Sequence, residues 1–196
     1  MILNISLLSD IIIDMELFKI VKDNKKSLRE KSINVEMPLT SEMVTLLNDM
    51  VEYLKCSQDP DWSEKNNVRP GVGLSAPQIG INKNFLAIYY VDEKQKVHQY
   101  AFVNPKIISE SVRRCALEGG EGCLSVDKEH KGLVHRAYKV TFEAYNILTN
   151  KNEKHTFTGY EAIVFQHEYD HLKGILFYDH IDKKDPFKKV PDAVYF

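Results

Sequence analysis

The hydrophobic pattern of the chain first becomes regular after Pro38. Over residues 40–56 the apolar positions recur every three or four residues, the spacing of one buried helix face: Met43, Leu46, Leu47, Met50, Val51 and Leu54. An amphipathic helix is therefore predicted there. Residues 57–70 are polar and contain two prolines and two adjacent asparagines, so we expect them to form a surface loop.

From residue 85 onward the pattern changes to that of short strands. Apolar runs predict three of them, at residues 85–91, 100–103 and 106–112. Residues 138–145 alternate between apolar and polar side chains, which is typical of a half-buried strand. A turn at residues 150–152 then leads into a further strand near residues 154–157.

A second helix is predicted after these strands. Thr158 and Glu161 have the spacing of a capping box, and the residues that follow are apolar on nearly every side through Phe165. The helix should end near Gly174. We therefore expect an α+β fold, with short antiparallel strands packed around a buried central helix in a single domain that spans residues 1–196.

Composition and charge narrow the classes of protein. The chain has 196 residues, 43% hydrophobic and 28% charged, which argues against a disordered or fibrous protein. Its net charge of −2 offers no basic surface for nucleic acid, and its three cysteines cannot all pair, which favours a reducing cytosol. Residues 1–18 are apolar but carry Asp10, Asp14 and Glu16 without a basic segment, so neither a signal peptide nor a membrane span is predicted.

The buried helix carries the motif H-E-x-x-H. His167 and His171 are four residues apart, so they lie on one helix face, roughly 6 Å from each other, as two ligands of one cation do. Glu168 lies about 100° around the helix, where it can reach a water molecule but is badly placed as a third ligand. Two inert, hydrogen-bonded core histidines are the alternative. We favour a metal site, because burying two imidazoles and two carboxylates without partners costs several kcal/mol.

The identity of the third metal ligand distinguishes the possible classes of metal site. The metzincin pattern requires a histidine at the position of Phe177, and no glutamate follows the motif. Asp179, His180 and Asp182 remain alternatives in a polar tail. Cys123, within Glu-Gly-Cys-Leu-Ser, is the better candidate, because a thiolate is a strong soft ligand and adjacent glycine allows close backbone approach.

Residues 71–78, Gly-Val-Gly-Leu-Ser-Ala-Pro-Gln, form a third motif. They also match G-x-G-x-x-A, a weak dinucleotide-binding pattern that needs a preceding strand and a following helix. A polar segment ending in Pro70 precedes the motif here, and Pro77 interrupts any helix after it, so this interpretation is disfavoured.

Together, residues 71–78, 121–125 and 166–174 resemble the peptide deformylases, whose three motifs occur in this order. The resemblance covers the chain from about residue 39 to its end. The segment before Gly71 and the ending Phe-Tyr-Asp-His-Ile-Asp look like the class of Gram-positive bacteria and mycoplasmas. Two departures are Ser75, where alanine is commoner and little effect is expected, and residues 26–29, which lack the usual proline.

The resemblance implies an enzyme that removes the N-formyl group from the N-terminal methionine of new polypeptides and releases formate. Cys123, His167 and His171 would hold one divalent metal, with Fe²⁺ expected in the cell and Zn²⁺, Ni²⁺ or Co²⁺ as substitutes. Glu168 would accept a proton from water and return it to the leaving amine.

The resemblance also implies the remaining roles in the site. The Gln78 side-chain amide and the Leu124 backbone N–H would stabilise the oxyanion. Arg136 and Asp170 would orient the site by charge pairing. Seven residues would line or border the methionine pocket: Val72, Gly73, Glu121, Gly122, Tyr160, Ile163 and Val164.

Two other functions compete with this interpretation. A metallopeptidase that cleaves internal peptide bonds would fit H-E-x-x-H alone, but it lacks a third histidine or glutamate here. A structural metal domain or an inactive relative would usually lose Glu168 or Gln78, which are both present. The expected partners are therefore N-formylmethionyl peptides, with a transient ribosome contact in the cytoplasm, and neither nucleic acid nor membrane is expected to bind directly.

Overall fold

A five-stranded antiparallel sheet forms the centre of the computed structural model, which describes residues 18–196. Its strands are β1 Gly73–Ser75, β2 Phe85–Val91, β3 Val97–Glu110, β6 Lys139–Asn146 and β7 Lys151–Thr158. They lie side by side in the order β1-β2-β3-β6-β7. The register of β6 and β7 is continuous from Lys139 opposite Thr158 to Asn146 opposite Lys151.

Two helices cover the two faces of this sheet. Along β2, Phe85 and Ala87 pack with α1 (Ser41–Ser57), whereas Leu86 and Ile88 pack with α3 (Gly159–His171). Successive side chains of a strand point to opposite faces, so one apolar strand serves both cores. Helix α3 is thereby held in the interior with nine of its residues buried: Gly159, Ala162, Ile163, Val164, Phe165, Gln166, His167, Glu168 and His171.

A smaller sheet lies beside α3, with the strand order β5-β4-β8. Its strands are β4 Arg114–Ala116, β5 Arg136–Ala137 and β8 Val194–Tyr195, and the β4–β8 pair is parallel. The Gln166 side chain joins this sheet to α3, because it bonds both the N–H (3.0 Å) and the carbonyl (2.9 Å) of Ala137. Short 3₁₀ helices complete the fold at Lys26–Arg29, Ala76–Ile79 and Phe177–His180.

The predicted α+β class and its buried central helix are confirmed. Helix α1 begins after Thr40, whose side chain caps the N–H of Met43, and β2 has the predicted bounds. The last helix ends at His171, three residues before Gly174, which adopts a φ of 73°. Residues 26–29 fold into a 3₁₀ helix that buries Leu28 without the usual proline.

Three local predictions are wrong. Residues 57–70 are not a loop throughout, because Pro60–Asn66 form helix α2. The strands predicted at residues 100–103 and 106–112 are one strand, β3, which continues past Asn104 through register shifts. The capping box does not form either: the Thr158 side chain makes no cap bond, and Glu161 accepts the Tyr100 hydroxyl instead (2.8 Å).

No helix in residues 18–196 is long and apolar enough to cross a membrane. The apolar start, residues 1–18, lies outside the described part of the chain except for its last residue. The prediction that it is neither a signal peptide nor a span therefore stays a prediction, as does the single domain over residues 1–196.

Candidate active site

Three side chains with metal-binding atoms meet at the inner face of α3. His167 and His171 lie one turn apart, and their ring centroids are 5.0 Å from each other. Cys123 comes from the segment between β4 and β5, and its Sγ lies 3.4 Å from His171 Nε2. One ligand atom from each residue lies within 4.8 Å of the other two, the only such group of three among residues 18–196.

The alternative third ligands are engaged elsewhere. Asp179 pairs with Arg29, and His180 Nε2 lies 2.8 Å from Asp170 Oδ2. Asp182 accepts the backbone N–H of Lys184 at the surface (2.8 Å). The part of the chain that the structure describes therefore offers Cys123 as the partner of the two histidines.

The two imidazoles each offer a ring nitrogen to a cation, from differently charged surroundings. His167 Nδ1 lies 2.7 Å from Glu121 Oε2, so this nitrogen donates its proton to the carboxylate and leaves Nε2 free as a ligand atom. Burial lowers the pKa of His171 well below its usual value, which keeps that ring neutral. Burial disfavours the charged form of His167, but the hydrogen bonds and charges of Cys123 and Glu121 outweigh it and raise the pKa of this ring well above its usual value. A cation at Nε2 would therefore displace a proton from His167. With that proton gone, a thiolate and two neutral imidazoles form the donor set of a borderline-soft divalent ion.

A chain of buried charges holds His167 in place. Arg136 donates from Nε and Nη2 to the two oxygens of Glu121 (2.6 and 2.9 Å) and from Nη1 to Asp170 (2.8 Å). Burial alone would raise the pKa of Glu121, but Arg136 and His167 lower it to about 2. The Glu121 carboxylate is thus ionised and committed to two partners, and it fixes the tautomer of His167.

Glu168 lies beside the histidines without a partner for one of its oxygens. The side chain is 3% exposed, and Oε2 has no hydrogen-bond partner within residues 18–196. Burial raises the pKa of its carboxyl to about 7. A carboxyl group with this pKa can both accept and donate a proton near neutral pH.

Gln78 faces the cysteine from the 3₁₀ helix that follows β1. Its Oε1 accepts the Ser75 backbone N–H (2.8 Å) and the Ser75 hydroxyl (2.9 Å). This fixes the amide so that Nε2 turns toward Cys123 Sγ, 3.5 Å away. The Ser75 hydroxyl therefore makes a bond that alanine could not make, a contact that sequence reasoning missed.

A cavity of about 300 Å³ adjoins the site, and Cys123 forms part of its wall. Its walls include all seven residues predicted for the methionine pocket: Val72, Gly73, Glu121, Gly122, Tyr160, Ile163 and Val164. Gln78, Leu124, His167 and Glu168 also face it. Sequence reasoning missed two large side chains of the wall, Arg69 and Leu117, because neither belongs to a motif.

Comparisons with known proteins agree on one family. A family model described as polypeptide deformylase matches residues 17–187. A peptide deformylase of Listeria monocytogenes is 48% identical over 177 residues, covering 90% of this chain and 96% of that protein. Peptide deformylase 2 of Bacillus subtilis is 46% identical over 175 residues, covering 89% of this chain and 95% of that protein.

Solved structures show the same likeness. A probable peptide deformylase from Synechococcus phage S-SSM7 superimposes with a TM-score of 0.68 at 35% identity, covering 84% of this chain and 99% of that one. The peptide deformylase of Thermotoga maritima gives a TM-score of 0.67 at 26% identity, covering 85% and 99%.

Proposed function

The chain belongs to the peptide deformylase family, and from this premise we propose how its site performs the reaction. The protein is a metal-dependent hydrolase that removes the N-formyl group from the N-terminal methionine of newly synthesised polypeptides and releases formate. One observation carries the assignment of roles: Cys123, His167 and His171 converge, and Cys123 and His167 border a cavity together with Glu168.

Cys123, His167 and His171 would hold one divalent ion. Three protein ligands leave a coordination position open, which is typical of catalytic rather than structural metal sites. When bound, the ion supplies Lewis acidity, which acidifies water and polarises a carbonyl group. Fe²⁺ is our proposal for the cell, following the family, although this donor set also suits Zn²⁺ and accepts Ni²⁺ or Co²⁺.

Glu168 would move the proton. Its buried carboxyl, with a pKa of about 7, can take a proton from the attacking water and then return it to the leaving amine. These two transfers balance, because the proton that leaves the water restores the neutral amino terminus of the product peptide.

Gln78 and Leu124 would stabilise the oxyanion that forms when the formyl carbon becomes tetrahedral. Ser75 holds the Gln78 amide with Nε2 beside Cys123 Sγ, and Gln78 borders the cavity, so the second hydrogen on Nε2 would serve as a preorganised donor to the oxyanion. The Leu124 backbone N–H donates to no acceptor in residues 18–196 and is free to serve as the second donor.

The methionine side chain would occupy the apolar part of the cavity. Ile163 and Val164 lie about one turn before His167 on α3, and together with Val72 they supply apolar surface to the cavity. Tyr160, 37% exposed, stands at the rim. The buried Arg136 would act at a distance, since it holds Glu121 against His167 and holds Asp170 at the other end of the ion pair.

The cellular setting follows from the substrate. Formylated chains emerge from ribosomes, so we propose a cytoplasmic enzyme that meets them by transient ribosome contact, without a nucleic-acid or membrane surface of its own. The three cysteines, all free of disulfides, fit a reducing compartment.

The test replaces the proposed sulfur ligand. In protein loaded with Co²⁺, the Cys123 thiolate should give a charge-transfer band at about 300–350 nm. The same protein should release formate from a formylated tripeptide and leave the peptide bonds intact. Cys123→Ser should lose the band, most of its metal and most of its activity, because a neutral hydroxyl replaces a thiolate. The matched control, Cys115→Ser, changes a cysteine that does not belong to the cluster and should alter none of these.

Two results would contradict the proposal. A band that persists in Cys123→Ser would mean that a different cysteine binds the metal. Full formate release by metal-poor Cys123→Ser would remove the ligand cluster from the reaction.

A further inference from the structure

Cationic side chains donate hydrogen bonds to the carbonyl oxygens of two successive peptide groups in the Cys123–Leu124–Ser125 segment. The Cys123 carbonyl accepts Arg69 Nη2 at 3.0 Å. The Leu124 carbonyl accepts the same Arg69 nitrogen at 2.7 Å and Lys22 Nζ at 3.1 Å. Both main-chain oxygens are therefore held from one side by positive charge.

The amide ends of the same two peptide groups serve the active site. The Cys123 carbonyl shares its peptide group with the Leu124 N–H, the proposed oxyanion donor. The Leu124 carbonyl shares its group with the Ser125 N–H, which donates to Cys123 Sγ at 3.4 Å. Both peptide bonds are trans, so each N–H points away from the carbonyl of its own group.

The Arg69 guanidinium is suited to such a hold. It donates further to the Val126 carbonyl (3.2 Å from Nη1) and pairs with Asp127 (3.3 Å), so its planar donors engage the segment at several points. A bond from a cation to a carbonyl oxygen fixes the peptide plane. It also polarises the group, which makes the opposite N–H a stronger donor.

We propose that Arg69 is a positioning residue of the reaction, which grips the carbonyls of Cys123 and Leu124 and so aims the amides of Leu124 and Ser125 at the reacting groups and the metal-binding sulfur. Lys22, from the N-terminal part of the chain, donates to the Leu124 carbonyl as well and helps to fix the same peptide group. This inference rests on the proposed oxyanion role of Leu124. Arg69 lies outside all three sequence motifs, so none of them assigns it a role.

Substrate binding is the competing role for Arg69, because the side chain also borders the cavity and is 51% exposed. A substrate contact would lower affinity when lost and would chiefly raise KM. A positioning role acts on a bond made in the transition state and would chiefly lower kcat. If Arg69 has a positioning role, removing its side chain must also change the environment of the Cys123–Leu124 peptide group.

A single labelled peptide group provides the direct measurement. Cys123–Leu124 is the only Cys–Leu pair in the sequence, so ¹³C-carbonyl cysteine with ¹⁵N-leucine gives one correlation peak in zinc-loaded protein. In Arg69→Met the carbonyl carbon should shift upfield, because it loses its cationic donor, and kcat should fall about tenfold at nearly constant KM, less than when an oxyanion donor is deleted. Arg69→Lys keeps one charged donor and should recover part of both.

Arg113→Met is the matched control. Arg113 also donates to a main-chain carbonyl, that of Asp192 (3.2 Å), but it does not border the cavity. This variant should leave the peak, kcat and KM unchanged. If Arg69→Met does not fold, Arg69→Lys carries the same comparison.

Each other result overturns the inference. A rise in KM alone makes Arg69 a substrate contact, and a shifted peak with normal kcat shows that the hold has no catalytic effect. A lower kcat with an unmoved peak would show that the catalytic loss does not come from a change in the Cys123–Leu124 peptide group. Wild-type protein that releases no formate defeats the proposed function instead, and the labelled peak then still reports whether Arg69 holds the peptide group.

Discussion

At Gly73 the backbone of β1 passes directly against the Glu168 side chain. A Cβ atom built at this position would lie 2.7 Å from Glu168 Cγ and Cδ, closer than carbon atoms approach in proteins. The neighbouring atoms belong to a side chain that is buried on α3, so the carboxylate would have to move rather than the helix. The missing side chain at Gly73 is thus what allows Glu168 to stand at the cavity wall.

Gly73→Ala should therefore displace the proposed base without removing it. We expect formate release to fall at least about 100-fold in kcat, the size typical of a lost general base, while Co²⁺ still binds with its thiolate band. Gly119→Ala is the control, since nothing lies within 4 Å of the added methyl group there. Normal turnover in Gly73→Ala would show that Glu168 tolerates displacement and does not act as the base.

Single residues of the site were predictable where helix geometry or a motif fixes them. The spacing of His167 and His171 on one turn is a property of any α-helix, and Cys123 stands in a motif with few alternatives. Arg69 was missed because its contact with the Cys123 carbonyl joins residues 54 positions apart through two irregular segments. Nothing in local periodicity determines such a distance.

At the scale of elements, α2 shows what a hydrophobic pattern leaves out. Its seven residues bury no side chain, so no apolar period marks the helix. It is specified by its ends: the Asp59 side chain accepts the N–H of Trp62 (2.8 Å), Pro60 occupies the first turn, and Asn67 ends the helix at a φ of 52°. These are favoured residues for a helix start and stop.

Asp59→Ala should lower the free energy of unfolding by about 1 kcal/mol, because it removes the only side-chain cap of α2. Formate release should not change, since α2 contributes nothing to the cavity wall. Urea unfolding followed by circular dichroism measures the effect. Asp59→Asn keeps the capping oxygen and should stay close to wild type, so an equal loss in both variants would assign the effect to charge rather than capping.

Strands and helices with a buried face were predicted well, because period and burial coincide. β2 and α1 match their predicted bounds to within a residue. The break expected between residues 103 and 106 does not occur. Asn104 adopts a φ of 52° and the register shifts there, so one strand of 14 residues continues through the irregularity. Glu161 accepts the Tyr100 hydroxyl instead of capping its own helix. Tyr100 is on β3, and the spacing of residues along the sequence does not tell which strand lies beside Glu161.

At the scale of the whole molecule, a chain of ion pairs connects three parts of the fold: the small sheet, helix α3, and residues 117–135 between β4 and β5, called here the cysteine segment because it carries Cys123. Arg136 on β5 holds Glu121 from the cysteine segment and Asp170 from α3. Arg136 and Glu121 are each 4% exposed, so neither can be solvated if its partner is lost. Breaking a buried pair of this kind typically costs about 3–5 kcal/mol, because an uncompensated charge remains.

This chain of ion pairs should make the stability of the metal-free protein dependent on acid. The pKa of Glu121 is about 2 in the folded protein, against an ordinary value of 4.5 for a glutamate in the unfolded chain. Its contribution is therefore fully present above about pH 4.5 and is lost as the pH falls toward 2, since the unfolded state then binds the proton more readily. By this linkage the contribution is on the order of 3 kcal/mol.

The measurement compares wild type with Glu121→Gln, both stripped of metal by a chelator, in urea unfolding at pH 6, 4 and 3. The wild type should be the more stable at pH 6, and the difference should shrink as the pH falls, because protonation makes Glu121 resemble glutamine. Glu129→Gln changes a carboxylate whose side chain is 78% exposed and should show no such convergence. A difference that stays constant from pH 6 to pH 3 would mean that Glu121 stabilises the fold by shape and not by its charge against Arg136.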